Sequence, residues 1–560
     1  MAVEWSRRLL HLLDRAARFP DPSDEGEVCL NKPEHALKLR HAARSRIVLL
    51  KNESGGLPLH PSDCPKRLAI VGPNAERVVA GGGGSVYIKA PYWTSAFNSI
   101  RAQFEPCGSQ IVHHVGAKVN RYLPSASSDI CRDPDTGLSG GVVDWFDGHD
   151  TTTAPVASRH VDDLYYISYG DRPPQIDRAT NYSFRVRTIL TAQTTGAHSP
   201  SLAGRGRSEL FVDGKTVASD SGARQPDGEL FCTYGGHEAF VTMDMVAGQE
   251  YHLVAEGHSH DRQLNCLRQM EDQFQGVRTG YEEHSPADLP AKAAALCTGT
   301  DASIIIVGRD KEWETEGLDM PMWELPGEQA WLIEEVAAVC PRTIVIIQAE
   351  TPVDLQPWID KVQAILYCLY QGQELGNAVA DVLCGHFNPS GRLPITYPRR
   401  IEHAPGVEPL FPLGYGLSYS TFALSDINVT NNPLRNPETR ITIHARVTNH
   451  GGSDLPARQT VLALAAPVSE GRPRLSRPKK QLCAFVKTPE LKQGTSCTVA
   501  LLVDAYTLGV YDSKAKHWVI DAGSEFDILV GANAGAARVA GRVQVPNEIS
   551  WVHRYHDVRQ

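Results

Sequence analysis

Two apolar stretches decide the fold of this chain: residues 302–308 read ASIIIVG, and residues 343–347 read TIVII. Both are short and rich in β-branched side chains, which is typical of strands that are buried on both faces. Residues 327–339 between them have helical periodicity, and a strand at 364–367 leads into a helix at 374–383. Strands that alternate with helices predict a mostly parallel sheet with helices on both faces.

The segment upstream of this sheet has a different pattern over residues 135–290. Residues 182–190 and 251–256, for example, alternate polar and apolar side chains and are bounded by turns. Period-two alternation with frequent turns predicts an all-β sandwich. The simplest assembly joins residues 46–134 and 291–410 into one split α/β-sandwich, with the β-sandwich of residues 135–290 inserted into it.

The two ends of the chain are predicted to form separate units. Residues 411–560 alternate again, for example at 440–447 and 526–530, and predict a second, terminal β-sandwich. Residues 1–45 predict two helices joined by a Pro/Asp-rich connection at 20–24. The expected fold class is therefore multidomain, α/β plus β.

Composition excludes several classes of function. The 560 residues include 55 Lys and Arg against 65 Asp and Glu, a formal net charge of −10. A nucleic-acid partner would need a basic surface, so none is expected. The apolar runs are far shorter than the ~20 residues of a membrane-spanning helix, so we expect a soluble protein without a membrane partner.

The N-terminus and the cysteines predict an intracellular protein. Asp14 and Arg15 follow the leucines at 9–13 too closely for a secretory signal, so a cytoplasmic location is expected. The 12 cysteines include no C-x-x-C pair, which predicts reduced, mostly buried thiols rather than a disulfide framework or zinc site. His258 and His260 have no third ligand in evidence, so no metal is predicted and a surface turn is expected there.

A glycine-rich loop follows the strand predicted at residues 68–71. Residues 81–85 read GGGGS and are followed by Val86 and Tyr87, so they match neither the dinucleotide fingerprint nor the P-loop. No cofactor is predicted. We interpret the loop as a place where the backbone packs closely against a neighbour or against a ligand hydroxyl.

Several motifs, taken in order, carry a family resemblance: RIVLLKNE at 46–53, AIVGPNA at 69–75, QGQELGNAVADVL at 371–383, NPSGRLP at 388–394 and FPLGYGLSY at 411–419. Together they resemble glycoside hydrolase family 3 enzymes of the β-glucosidase type, over nearly the whole chain. The resemblance implies a protective-antigen-type lectin-like insert and a fibronectin type III-like terminal domain. It also implies a carbohydrate or glycoside ligand and retaining hydrolysis of terminal β-D-glucosyl residues.

The candidate chemistry lies in residues 311–319, KEWETEGLD, directly after a predicted strand. Ligand sites in open α/β sheets lie beyond the carboxyl ends of strands. From the residues alone, the three glutamates are also consistent with a solvated acidic loop. The resemblance implies that Glu316 is the general acid/base, with Glu314 as the second choice, and that Trp313 and Asp319 bind substrate.

A retaining mechanism needs two carboxyl groups about 5–5.5 Å apart, one a nucleophile and the other an acid with a raised pKa. An apolar wall such as Trp313 could raise that pKa by desolvation. The family's nucleophile is an Asp of an N-terminal (β/α)₈ barrel of about 250 residues. Residues 1–45 resemble only the final barrel helix and its linker.

Two further departures concern the sugar site. The family usually continues its acid/base with Gly-Tyr-Asp-Arg, whereas this chain has Gly317-Leu318-Asp319-Met320, and the segment between residues 398 and 411 is short. Three interpretations remain open: a β-glucosidase whose barrel is encoded separately, a catalytically inactive carbohydrate-binding protein, and a repurposed biosynthetic enzyme that uses Glu316 on a small natural product. A homo-oligomer and a separate barrel-bearing chain are both open as partners.

Overall fold

The computed structural model describes residues 7, 10–15, 29–86, 88, 90–162, 164–169, 173–176, 181–222, 237–259, 274–283, 288–317, 319–320, 322–402, 408–430, 433–468 and 477–552. Residues 10–15 are helical, as the sequence predicts for the N-terminus. The rest of that predicted helix and the connection at 20–24 lie outside the described residues.

The first part of the chain supplies one half of an α/β domain. Its elements are α1 (Pro33–Arg46), β1 (Val48–Asn52), β2 (Arg67–Val71), α2 (Ala96–Phe104) and β3 (Gln110–His114). Proline in the first turn of α1 suits a helix start because its missing N–H would have no intrahelical partner. Ser95 caps α2, since its hydroxyl accepts a 3.1 Å hydrogen bond from the Asn98 N–H.

The described residues of the next part of the chain form an inserted β-sandwich of twelve strands: β4 (Cys131–Arg132), β5 (Gly141–Asp147), β6 (Ala157–Val161), β7 (Tyr165–Tyr169), β8 (Tyr182–Thr191), β9 (Gly196–Arg205), β10 (Ser208–Val212), β11 (Lys215–Asp220), β12 (Ala239–Phe240), β13 (Met243–Met245), β14 (Glu250–His258) and β15 (Phe274–Glu283). One antiparallel sheet has the order β11-β10-β14-β8-β5-β6, with β4 on β8. The other has the order β12-β9-β15-β7, with β13 on β9. A single core that includes Trp145 and Phe184 fills the space between them.

The insert begins earlier and ends earlier than the sequence predicts. Strand β4 pairs with β8, and Ser125 forms a bridge to Gly280, so the chain joins the insert before residue 135. The short length of β4 hides its alternation in the sequence. At the other end, the α/β domain resumes with a helix that begins at Leu289, two residues before the predicted boundary of 291.

The α/β domain is completed by α3 (Leu289–Cys297), β16 (Ala302–Gly308), α4 (Gln329–Val339), β17 (Thr343–Gln348), β18 (Ala364–Tyr367) and α5 (Leu375–Leu383). Its sheet has the order β1-β18-β17-β16-β2-β3. All neighbours pair in parallel except the edge strand β1, which is antiparallel to β18. The split, mostly parallel sheet predicted from the sequence is confirmed.

Strand β16 shows why the central strands are apolar throughout. Ile304 and Ile306 lie in the core shared with α2 and α5, whereas Ile305 and Val307 lie in the core shared with α3 and α4. Side chains of a strand alternate between faces, so a strand covered on both faces needs apolar residues at every position. Burial of each such side chain stabilises the fold by about 1.5–3 kcal/mol.

The C-terminal part forms a second β-sandwich: β19 (Thr421–Val429), β20 (Arg440–Gly451), β21 (Thr460–Pro467), β22 (Gln481–Lys487), β23 (Ser496–Asp504), α6 (Ala505–Leu508), β24 (Val510–Asp512), β25 (His517–Ile520), β26 (Ser524–Gly531), β27 (Arg538–Val545) and β28 (Ile549–Trp551). Sheets β19-β20-β23 and β22-β21-β26-β27 enclose one core, and β24-β25-β28 forms a small third sheet. The predicted terminal sandwich is confirmed.

The cysteines depart from the sequence prediction at one pair. Cys64 and Cys107 form a disulfide with a Cα–Cα distance of 5.8 Å, so the expectation of reduced thiols throughout is wrong for these two. They lie 43 residues apart and meet because β2 and β3 are parallel neighbours, a pairing that the spacing did not reveal. Six of the eight free cysteines that the structure describes are buried, as expected of small apolar groups.

Candidate active site

The carboxyl ends of β2, β16, β17 and β18 meet at one edge of the parallel sheet, which is where ligand sites of such sheets lie. Residues 309–317 follow β16 at this edge and are called the acidic loop below. The loop turns sharply at its start, because the Trp313 and Glu314 N–H groups both donate to the Asp310 carbonyl, at 3.0 and 2.9 Å. The sequence therefore placed the loop correctly beyond the strand end.

Glu314 lies inside the protein, with only 8 % of its surface exposed. One carboxylate oxygen accepts the N–H and the hydroxyl of Thr351, with the Arg309 guanidinium 3.4 Å away. The other accepts the Glu350 N–H at 2.8 Å and the Tyr370 hydroxyl. Because protein donors occupy both oxygens, this geometry favours an anchoring role for Glu314 over the acid/base role considered as a second choice.

Arg309, which continues β16, is fully buried beside Glu314. Its guanidinium donates to the Met322, Trp323 and Glu324 carbonyls at 3.0–3.1 Å and to the Thr351 hydroxyl at 2.6 Å. The ion pair thus holds together the segments that follow β16 and β17. Sequence reasoning missed Arg309; the available signal was a charged residue directly after a buried strand, at the edge where sites form.

The glycine-rich loop supports the acidic loop through its backbone. The Gly83 N–H donates to the Glu314 carbonyl at 2.9 Å, and the Glu316 N–H donates to the Gly83 carbonyl at 3.3 Å. A Cβ atom at Gly83 would lie 2.7 Å from the Lys311 carbonyl oxygen, and one at Gly82 would lie 2.9 Å from that of Glu314. The close backbone packing expected of this loop is confirmed.

The other predicted site residues lie at different depths. Glu316 and Asp319 are exposed, and Leu318 between them is outside the described residues. Trp313 is half-buried, and its indole N–H donates to the Val119 carbonyl at 2.7 Å, which ties the loop to the segment leading into the insert. The structure thus keeps Glu316 and Asp319 at the solvent side of the site; the roles of these residues remain predictions.

A second pair of acids lies on the insert side of the loop. Asp310 forms an ion pair with Arg77 and accepts the Glu312 N–H at 2.8 Å. Glu312 accepts the Arg121 N–H at 3.0 Å, and the guanidinium of Arg278 lies 3.6 Å away. Burial, reinforced by the negative charge of Asp310, raises the pKa of Glu312 despite the two arginines.

A cavity of about 560 Å³ lies beside the acidic loop and is called the loop pocket below. Arg77, Asp310 and Lys311 supply its charged lining, and residues 78–82 supply much of the rest. Apolar side chains from α1 and from the segment after the glycine-rich loop complete it: Leu39 is 44 % exposed, Ile88 71 % and Trp93 42 %. The sequence carried no signal for these apolar residues, because their neighbourhood is set by the tertiary fold.

Neither a metal centre nor a membrane-spanning helix is found within the described residues. In that part of the chain, no group of three or more His, Cys, Asp or Glu side chains could hold a metal ion. His258 packs its ring edge-on against His149, and burial lowers its pKa; His260 lies outside the described residues. No helix in the described part combines the length and apolar character needed to cross a bilayer.

Comparison with a solved structure shows a shared fold, and a family model shows the class of protein to which this chain belongs. A β-glucosidase from Kluyveromyces marxianus, solved in complex with glucose, shares the fold with a TM-score of 0.79 at 24 % identity, over 93 % of this chain and 64 % of that one. The family model described as the glycosyl hydrolase family 3 C-terminal domain matches residues 47–419, and a fibronectin type III-like model matches residues 465–534. The chain belongs to glycosyl hydrolase family 3.

Curated relatives agree with this assignment. A protein named beta-glucosidase from Rhizobium radiobacter is 31 % identical over 97 % of this chain and 66 % of its own length. A protein named probable beta-glucosidase K from Emericella nidulans is 29 % identical over 98 % of this chain and 67 % of its own length. The chain therefore spans about two thirds of the length of the curated relatives it matches, and the resemblance read from its motifs is confirmed.

Proposed function

We propose that this chain supplies the proton-donating half of a retaining β-glucosidase site, with Glu316 as the general acid/base. The observation that carries the proposal is the contrast within the acidic loop, where Glu314 is buried and anchored while Glu316 is exposed two residues later. Membership of the family and the printed names of the relatives support a β-glucoside as substrate.

In this mechanism Glu316 donates a proton to the glycosidic oxygen as a nucleophilic carboxylate attacks the anomeric carbon. The bond from that carbon to oxygen breaks, the aglycone leaves with the proton, and a glycosyl-enzyme ester forms. Glu316, now a carboxylate, takes a proton from the water that attacks the ester and releases the sugar. Trp313 and Asp319 are proposed to contact the substrate.

The nucleophile is proposed to come from a partner polypeptide. Asp310 and Glu314, two acids within the loop, are each held by an arginine and are poorly placed to attack a sugar. The partner would correspond to the third of the relatives' length that this chain does not match. We propose that it docks over the loop pocket, where Leu39, Ile88 and Trp93 expose apolar surface next to the acidic loop.

The test mixes purified chain with the unmatched third of the Rhizobium radiobacter relative and follows release of 4-nitrophenol from its β-glucoside. We expect hydrolysis by the mixture and background rates from either component alone. Glu316→Gln should lower kcat/KM of the mixture by about 10²–10⁴, because general acid–base catalysis contributes that much. Glu324→Gln, a nearby exposed glutamate, is the matched control and should leave the rate unchanged.

Other outcomes assign the protein differently. Binding of glucose or cellobiose by wild type and Glu316→Gln alike, with no turnover in the mixture, would identify a carbohydrate-binding protein without hydrolysis. Glu316-dependent turnover of a non-sugar substrate alone would identify a repurposed acid/base enzyme. Hydrolysis by the mixture that survives Glu316→Gln would remove Glu316 from the acid/base role.

A further inference from the structure

Side chains of the inserted sandwich approach the acidic loop at Lys311, whose ammonium lies 5.8 Å from the centre of the Tyr165 ring, and at Glu312, which lies beside Arg278. Arg278 lies on β15, the last strand of the insert, and its side chain is only 5 % exposed. Its guanidinium lies 3.6 Å from the carboxylate of Glu312, whose side chain is 12 % exposed. A charge pair this deeply buried is weakly screened by solvent, so its attraction acts strongly on the loop.

Arg278 is itself held in place by the insert and by the segment that leads into it. Its guanidinium donates to the Leu123 carbonyl and lies 3.4 Å from a carboxylate oxygen of Glu238. Glu238 in turn accepts the Leu123 N–H at 2.9 Å. The planar fork of an arginine can serve these partners at once, which a lysine cannot do.

Glu312 lies at the turn from which the rest of the acidic loop continues. Its N–H donates to the Asp310 carboxylate, and its own carboxylate accepts the Arg121 N–H. The next hydrogen bonds along the loop are those of Trp313 and Glu314 to the Asp310 carbonyl, and then that of Glu316 to Gly83. A displacement of Glu312 therefore acts on the backbone that carries Glu316.

We propose that Arg278 is a positioning residue by which the inserted sandwich holds the acidic loop, and with it Glu316, in one conformation. The expected effect on catalysis rests on the proposed function. The structural coupling between the insert and the loop does not depend on it. The insert then acts on the site of the α/β domain from outside, through the buried charge of Arg278.

Replacing Arg278 leaves two buried carboxylates, Glu312 and Glu238, without their shared cation. Buried carboxylates without a partner move toward water or take up a proton. Because Glu312 is on the loop, its movement should open the hydrogen bonds that follow it. The same change in an ion pair elsewhere in the insert should leave the loop unaffected.

Hydrogen exchange of the purified chain tests the coupling without any need for activity. In Arg278→Met, we expect the amides of Trp313, Glu314 and Glu316 to exchange about tenfold or more faster, as local opening becomes easier. Arg185→Met is the control, since Arg185 pairs with Glu256 in the other sheet of the insert at 2.8 Å, with its side chain 25 % exposed and that of Glu256 13 % exposed. It should leave these three amides unchanged.

Arg278→Lys keeps the experiment decisive where Arg278→Met does not fold. Lysine keeps the positive charge but lacks the fork, so the thermal midpoint should stay near that of wild type while the three amides exchange faster. Unchanged exchange of these amides in a folded Arg278 variant would overturn the proposal. So would equal acceleration in Arg185→Met.

The reconstituted hydrolysis assay supplies a second readout. A positioning role predicts that Arg278→Lys lowers kcat with little change in KM, and that the lost rate is smaller for glucosides with better leaving groups. An equal loss for all leaving groups would mean that Arg278 acts on folding alone. Absence of hydrolysis in wild type would count against the proposed function, whereas the exchange result would still decide the coupling.

Discussion

The two halves of the acidic loop differ in what surrounds them. Residues 309–314 are largely buried: Arg309 and Glu314 pair inside the protein and bond to the segments after β17 and β18. Residues 315–317 and 319–320 lie at or near the surface, joined to the glycine-rich loop at Gly83. A rigid first half that presents an exposed second half is the arrangement expected of a reactive group held by a supporting shell.

Three glutamates of this segment look alike in the sequence but have different surroundings in the structure. Glu312, Glu314 and Glu316 alternate along one short segment, yet Glu314 meets five protein donors, Glu312 faces an arginine of the insert, and Glu316 is exposed. Only the fold distinguishes the three. One residue type therefore has three roles here: Glu314 anchors the loop, Glu312 couples it to the insert, and Glu316 is the proposed acid/base.

The largest effect on stability is expected from Arg309→Met, which removes the buried cation from residues 309–314 of the acidic loop. Glu314 would be left as a buried carboxylate without its charge partner, and three carbonyls would lose their donor. We expect the free energy of unfolding to fall by about 3–5 kcal/mol, measured by urea denaturation.

Arg101→Met is the control for that prediction, because Arg101 pairs with Glu105 at 3.6 Å on the exposed face of α2. Exposed pairs contribute about 0–1 kcal/mol, so this variant should be nearly as stable as wild type. Equal stability of the two variants would show that the buried half does not anchor the loop.

Gly83→Ala tests the contact between the two halves and the glycine-rich loop. The new methyl group would meet the Lys311 carbonyl oxygen and the Thr315 hydroxyl, so the loops must separate. We expect a loss of about 1–3 kcal/mol in the free energy of unfolding and slower hydrolysis in the reconstituted assay. Gly81→Ala has open space around it and should leave the free energy of unfolding unchanged.

Much of the fold could be predicted from the sequence because it follows from local patterns. The apolar run at β16 and the alternation at β20 each report burial directly, through the period of the side chains. The position of the acidic loop followed from the rule that sites lie at the carboxyl ends of strands. How deeply Glu312, Glu314 and Glu316 are each buried could not be predicted, because burial depends on residues that are distant along the chain.

Arg278 and Tyr370 illustrate that limit. Arg278 is 34 residues before Glu312, Tyr370 is 56 residues after Glu314, and neither carries a motif. The disulfide between Cys64 and Cys107 was missed for the same reason, as it depends on the parallel pairing of β2 with β3. Contacts that only the sheet order creates leave no signal in a single sequence.

Trp93→Ala tests the proposed docking surface, which lies next to the exposed half of the acidic loop. Removing this half-exposed ring should weaken assembly with the barrel-bearing partner by about 1–2 kcal/mol, or roughly tenfold in Kd, measured by calorimetry. Trp518→Ala, a similarly exposed tryptophan of the terminal sandwich, is the control and should leave Kd unchanged. Equal affinity for both variants would move the docking surface elsewhere.

The smallest effect is expected from Glu312→Gln, and it depends on pH. Burial and Asp310 raise the pKa of Glu312, so the folded state favours its neutral form. Stability from that neutral form is present below the ordinary pKa of a glutamate and is lost as pH rises through the raised value. Urea denaturation should therefore show Glu312→Gln gaining stability relative to wild type as pH rises above the ordinary pKa of a glutamate.

The same ionisation strengthens the attraction between Glu312 and Arg278, so global stability and loop anchoring should change in opposite directions. As pH rises, wild type should lose stability relative to Glu312→Gln, while exchange at Trp313 and Glu314, corrected for its intrinsic pH dependence, slows only in wild type. Glu438→Gln, an exposed site in the terminal sandwich, should show neither effect. A wild type that gains stability over Glu312→Gln as pH rises would mean that Arg278 and Arg77 outweigh burial, and that the ion pair stabilises the fold itself.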